Sequence, residues 1–88
     1  MTDGLRVDRA AIENTRRVFS LPRPARHEDI FRLMRAAGFS RLGCRQGFLL
    51  SDGRFVGRSE AARVAFEAGQ YLEQPARVPG ALMTEDLW

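Results

Sequence analysis

The sequence predicts a small α+β domain, and three observations carry that reading. Phe48-Leu49-Leu50 and Phe55-Val56 are short apolar runs on either side of Ser51-Asp52-Gly53-Arg54. Asp-Gly between two such runs is a strong short-range signal for a β-hairpin. On both sides of the hairpin, apolar residues recur at helical spacing. Ile30, Leu33, Met34 and Ala37 precede it, and Ala61, Val64, Ala65 and Ala68 follow it. An isolated hairpin is marginal in water, so these helices are expected to cover it.

The predicted order is α-α-β-β-α with an extended C-terminal tail. Residues 1–25 read as a helix and a proline linker, 26–70 as a helix-hairpin-helix core, and 71–88 as a tail packing on that core. Residues 1–6 read as a frayed start. From Asp8 as N-cap, Ala11, Ile12, Thr15, Val18 and Phe19 follow one helical face, with Arg9, Glu13, Arg16 and Arg17 opposite. Pro22 and Pro24 end this helix and impose an extended connector.

The second helix runs from about Arg26 to Ala37, with Glu28 and Asp29 in a first turn that favours acids. Gly38 stops it, and Phe39 is placed to fold back. Ser40 to Gln46 is a polar connection into the hairpin. The Asp52-Gly53 turn is expected to be type I′. Gly57 or Ser59 caps the third helix, which Gly69 ends. Pro75, Pro79 and Gly80 make the tail extended. Its closing Leu87-Trp88 is too apolar to stand in water and is expected to pack, with Thr84 capping a short turn. The sequence shows no internal repeat.

Eighty-eight residues make one domain. At that length folding buries roughly 60–65% of the chain's surface, which leaves little room for a deep catalytic cavity. There is no apolar run of about 18 residues and no hydrophobic signal core, so a cytoplasmic location is expected. One cysteine excludes an internal disulfide and the usual structural zinc sites. Cys44 reads as a half-buried small residue. The chain has no phosphate loop, metal-ligand spacing or nucleophile elbow. No catalytic residue, metal or cofactor is therefore expected, and the protein is expected not to be an enzyme.

All fourteen basic residues are Arg. Codon usage in a GC-rich genome accounts for that, and so does a surface suited to carboxylates, phosphates or stacked rings. The charge is uneven: residues 1–24 carry +2, residues 25–58 carry +4 and residues 59–88 carry −3. A basic middle and an acidic end imply one positive face. Arg41, Arg45, Arg54 and Arg58 lie on or beside the hairpin and are the candidate partner-binding residues. They fit an acidic protein surface, a nucleic-acid backbone, or a solvated rim that keeps sheet edges from pairing. Arg26 and His27, at the head of the second helix, are candidate anion-binding residues. The alternative is that His27 caps or staples the helix while Arg26 pairs with an acid.

Several motifs resemble a family of very small bacteriophage and prophage proteins. They are Arg26-His27 with Asp29-Ile30, Gly47-Phe48-Leu49, Ser51-Asp52-Gly53-Arg54-Phe55-Val56, and Arg58 with Glu60-Ala61 and Ala65. Ala68-Gly69-Gln70 and the closing Thr84-Glu85-Asp86-Leu87-Trp88 complete them. The resemblance covers residues 26–70 and the last five, and the first 25 residues look particular to this chain. Gly57 departs from the acidic residue usual before Arg58. The resemblance implies a phage origin and action inside a bacterial cell. Small phage proteins of this kind often bind and disable a host machine, and anti-CRISPR inhibitors are one such class. The partner it implies is a host protein or ribonucleoprotein complex. Direct nucleic-acid binding through the Arg patch is the alternative. No membrane contact is expected, and the protein is expected to be a monomer or weak homodimer.

Overall fold

In the computed structural model, described for residues 4–15 and 17–88, the chain is α+β in the order β-β-α-β-β-α. Strands β1 (Val7–Asn14) and β2 (Arg17–Ser20) form a first hairpin, followed by helix α1 (His27–Ala36). Strands β3 (Cys44–Leu50) and β4 (Phe55–Gly57) form a second, followed by helix α2 (Arg58–Glu67). The four strands make one antiparallel sheet in the order β2-β1-β3-β4. Each helix lies chiefly against its own hairpin. The molecule is thus a ββα unit used twice, an arrangement that the sequence does not display as a repeat. No helix among the described residues is long and apolar enough to cross a membrane.

The expected N-terminal helix is a β-hairpin instead. Asn14 pairs with Arg17, so the turn has two residues, and Thr15 sits at φ +55°. Ile12 lies directly across from Phe19. Those residues are seven apart, which is two helical turns, so helix and tight hairpin both bring them together. β1 is central, and Ala10, Ala11 and Ile12 are all buried. A strand buried on both faces loses its alternation, and with it the period that marks a strand. Residues 1–3 of the expected frayed start, and Arg16, lie outside the described residues.

The second hairpin is present, with a different turn. Gly53 N–H donates to the Leu50 carbonyl (2.8 Å) and Leu50 N–H to the Arg54 carbonyl (2.9 Å). Gly53 has φ +90° and Asp52 is not among the positive-φ residues. The loop is therefore Ser51-Asp52-Gly53, a turn followed by a left-handed glycine, and not type I′. The Asp52 carboxylate accepts from Arg54 N–H (3.0 Å) and from Arg54 Nε (2.9 Å). Those bonds hold its pKa below the ordinary carboxylate value.

The core lies between the sheet and the helices. Ala10, Ile12, Phe48, Leu50 and Val56 face Ile30, Phe31 and Met34 of α1 and Ala61, Val64 and Ala65 of α2. α1 begins at His27 with Arg26 as N-cap, and Asp29 Oδ2 accepts the Arg26 N–H (2.8 Å). α2 begins after Gly57 as expected. The helix-free face carries Arg9, Ala11 and Glu13 on β1, Arg45, Gly47 and Leu49 on β3, and Phe55 on β4. There the Phe55 ring lies over Gly47.

The start of β1 is clamped. The register shifts between Val7 and Arg9. The Gln70 side chain accepts from Val7 N–H (2.7 Å) and donates to its carbonyl (2.9 Å), much as a neighbouring strand would. Arg23 donates to the carbonyls of Val7 and Asp8, both at 2.7 Å. The linker that the prolines predict is thus fastened to the sheet, and its Arg23–Pro24 peptide is cis. The tail packs as expected: Leu82 and Leu87 are buried and Trp88 is half-buried. Its short turn, the 3-10 segment Thr84–Asp86, is capped by Asp86 accepting the Met83 N–H (2.9 Å). Thr84 is buried inside that turn rather than serving as its cap.

Candidate functional site

The four arginines singled out beside the hairpin do not form one patch. Arg41 and Arg45 stand at one end of the sheet, where β1 ends, β3 begins and α1 runs out. Arg54 is at the opposite end of β3, held to Asp52. Arg58 opens α2 and sits in a separate cleft with Arg26 and His27.

The basic end gathers residues the sequence reading had not joined. Phe39 turns back from α1, its N–H donating to the Met34 carbonyl (2.8 Å), and meets Phe19 edge-on with centroids 4.9 Å apart. That contact brings the C-terminal end of α1 beside the first hairpin. Arg17 lies 5.8 Å from the Phe39 ring, and Arg35 and Arg41 line a hollow beside Phe39 and Phe31. Residues 30–51 contain no acid at all. The nearest carboxylates are Glu28, 3.7 Å from Arg41, and Glu13, 3.7 Å from Arg45. Both arginine side chains are more than 60% exposed, and exposed pairs at that distance are worth little. Their guanidiniums are braced from behind, Arg41 over Phe31 at 4.0 Å and Arg45 over Phe55 at 5.2 Å. Stacking holds the fork in place and leaves its donors facing outward.

At the tip of the same end, Leu42 is 85% exposed, with Leu33 of α1 at 49%. Nothing in the local sequence pattern marks Leu42 as exposed. Arg17 carries no such mark either, because its stretch fits helical spacing as well as a strand. Cys44 is half-buried beside this end, its thiol directed at the Ser40 carbonyl (3.3 Å).

The second region is a cleft of about 200 Å³ between the starts of α1 and α2, closed by the tail. Arg26, His27, Glu28, Gln46, Arg58, Met83, Thr84 and Glu85 line it. His27 is buried, its Nε2–H donates to the Gly47 carbonyl (2.7 Å), and its ring meets Phe48 edge-on. That bond staples α1 to β3. Arg26 donates to the Trp88 main-chain oxygen, and no ion pair among the described residues includes it. Arg58 donates to Gln46 Oε1.

Burial lowers the pKa of His27 below its ordinary value near 6.5. The Gly47 carbonyl opposes the shift, Arg58 adds to it and Glu85 opposes it. His27 is therefore a neutral spacer at neutral pH. Unfolding returns its pKa to about 6.5, so the unfolded chain takes up the proton first as pH falls. Stability from neutral His27 is complete above about pH 6.5 and is lost as pH drops through the window below it. Melting temperature is expected to fall between pH 7.5 and pH 5.5. His27→Gln, which keeps a donor for Gly47, is expected to flatten that slope. A slope equally steep in the variant would show that His27 is not the titrating group.

A family model described as phage T4 y16D protein matches residues 6–88. The match takes in the first hairpin, so the N-terminal quarter is not particular to this chain. Neither a curated protein nor a solved structure matches.

Proposed function

The chain belongs to the phage T4 y16D protein family, and from there we propose that it is a phage-encoded stoichiometric inhibitor of anti-CRISPR type. It docks its basic end on an acidic protein surface of a bacterial defence complex and so blocks a nucleic-acid-binding or assembly site. The observation that carries the reading is Leu42, 85% exposed in the segment that joins the stacked arginines Arg41 and Arg45. An apolar tip on the same segment as two pre-set guanidiniums suits a protein pocket with an acidic rim. A phosphate backbone offers Leu42 nothing. Arg17 and Arg35 widen the contact. Arg54 and Arg58, remote from this end, drop out of it.

Arg41→Ser combined with Arg45→Ser is expected to abolish protection of phage against an active defence system. Serine avoids setting a new carboxylate against Glu13 or Glu28. Each arginine lost from an interface costs about 2 kcal/mol or more of binding when it is an anchor. The same pair is expected to change folding stability by about 1 kcal/mol or less, because both side chains are exposed. Arg54→Ser is the control and is expected to protect like the parent. Inhibition should titrate to completion at a fixed ratio of protein to target. Full protection by the double variant would remove the basic end from the mechanism. If the chain instead binds random DNA or RNA with a log–log salt slope of about −3 to −4, it acts on nucleic acid directly through about four phosphate contacts.

A further inference from the structure

We infer that the cleft between the starts of α1 and α2 is a binding site for a phosphate monoester group, separate from the basic end. Among the described residues, the buried polar side chains are His27 and Thr84, and both line this cleft. Arg58 Nε, in the same wall, is buried and has no hydrogen-bond partner.

Neither arginine of the cleft is closed off by an ion pair among the described residues, although the charge of Arg26 reaches Glu85 and helps to lower its pKa. Arg26 is held by the Trp88 main-chain oxygen and Arg58 by Gln46. Each guanidinium has five N–H donors, so each keeps several in hand. The two carboxylates on the wall have partners of their own. Glu28 lies 3.7 Å from Arg41. Glu85 has its pKa lowered first by its own backbone N–H and by the Thr84 hydroxyl (3.1 Å), and further by the charge of Arg26.

The size and donor set narrow the ligand. A cleft of about 200 Å³ is smaller than the roughly 300–1,000 Å³ that hold a drug-sized molecule. It takes a small anion or the head of a larger one. A planar carboxylate is satisfied by one guanidinium fork. Two guanidiniums lining one cleft with Gln46 and Thr84 suit the three terminal oxygens of a phosphate monoester.

The test is an NMR titration of the full chain with inorganic phosphate and with adenosine 5′-monophosphate, followed at Arg58 Nε–H and the His27 ring. Saturable shifts at both groups, with a rise in melting temperature, are expected. Arg58→Gln is expected to weaken binding at least tenfold, and Arg58→Lys, which keeps the charge but not the fork, by less. Arg45→Ser, which leaves the Glu28–Arg41 contact in place, should bind phosphate unchanged. A 5′-phosphorylated trinucleotide that binds more tightly than the mononucleotide makes a nucleic-acid end the source, and the reverse order makes it a free nucleotide. Absence of a saturable shift at millimolar phosphate and mononucleotide overturns the inference. So does binding that is unaffected in a folded Arg58→Gln chain.

Discussion

Deleting Leu87 and Trp88 is expected to lower stability by about 3–5 kcal/mol, the range for truncating a large buried apolar side chain. Leu87 is buried in the core cluster. Trp88 ties the tail to the linker three times: its Nε1–H donates to the Ala25 carbonyl (3.2 Å), its ring lies 5.1 Å from Arg23, and its main-chain oxygen accepts from Arg26. Arg23 in turn holds the carbonyls of Val7 and Asp8. The deletion therefore loosens the start of the central strand as well as the tail. A domain of this size loses about 4–8 °C of melting temperature per kcal/mol, so the fall should reach tens of degrees. A thermal melt of the 86-residue chain checks it, and an unchanged midpoint would mean that the tail only rests on the surface.

The second large effect is expected at Gly47. A Cβ there would stand 2.2 Å from the Val56 carbonyl oxygen and 2.6 Å from Phe55 Cζ. The ring can swing aside, but the carbonyl belongs to β4 and moves only if its pairing with β3 breaks. Gly47 also supplies the carbonyl that holds His27. Gly47→Ala is thus expected to cost about 3 kcal/mol, at the upper end for overpacking, read from the urea midpoint. Gly57→Ala is the contrast, because its Cβ would meet only the tip of Arg45, at 3.3 Å. Similar midpoints for the two variants would rule out a rigid approach of β4 at Gly47.

The parts of the fold legible in the sequence are those with local punctuation. Asp52-Gly53 marks the second hairpin, and Gly38 and Gly69 mark the two helix ends. The first hairpin closes with Asn14 paired to Arg17, and no Gly stands there to announce it. Its apolar residues satisfy helix and hairpin spacing alike, so only pairing with β3 decides between them. The sites were legible as residue types and not as places. Arg45 and Arg54 are nine residues apart in sequence and flank one hairpin. The run of β3 from Arg45 to Leu50, which pairs with Arg54, sets them roughly 17 Å apart at about 3.3 Å per residue. Arg58 joins Arg26 because two helices begin side by side, a juxtaposition that no local spacing reveals.

Because β1 sits inside the sheet, a growing chain is half made before its central strand is covered. β1, β2 and α1 are complete at Ala36, yet one side of β1 stays bare until β3 has been added, up to Leu50. That bare side is eight residues of strand with Ala10, Ala11 and Ile12 in its middle, a ready template for another chain. In the finished molecule the outer strands are β2 and β4, only four and three residues long, and such short edges resist pairing. The same strand order therefore gives the completed protein blunt borders and the nascent one an adhesive border. The hazard of aggregation falls within synthesis, in the interval before the second hairpin leaves the ribosome.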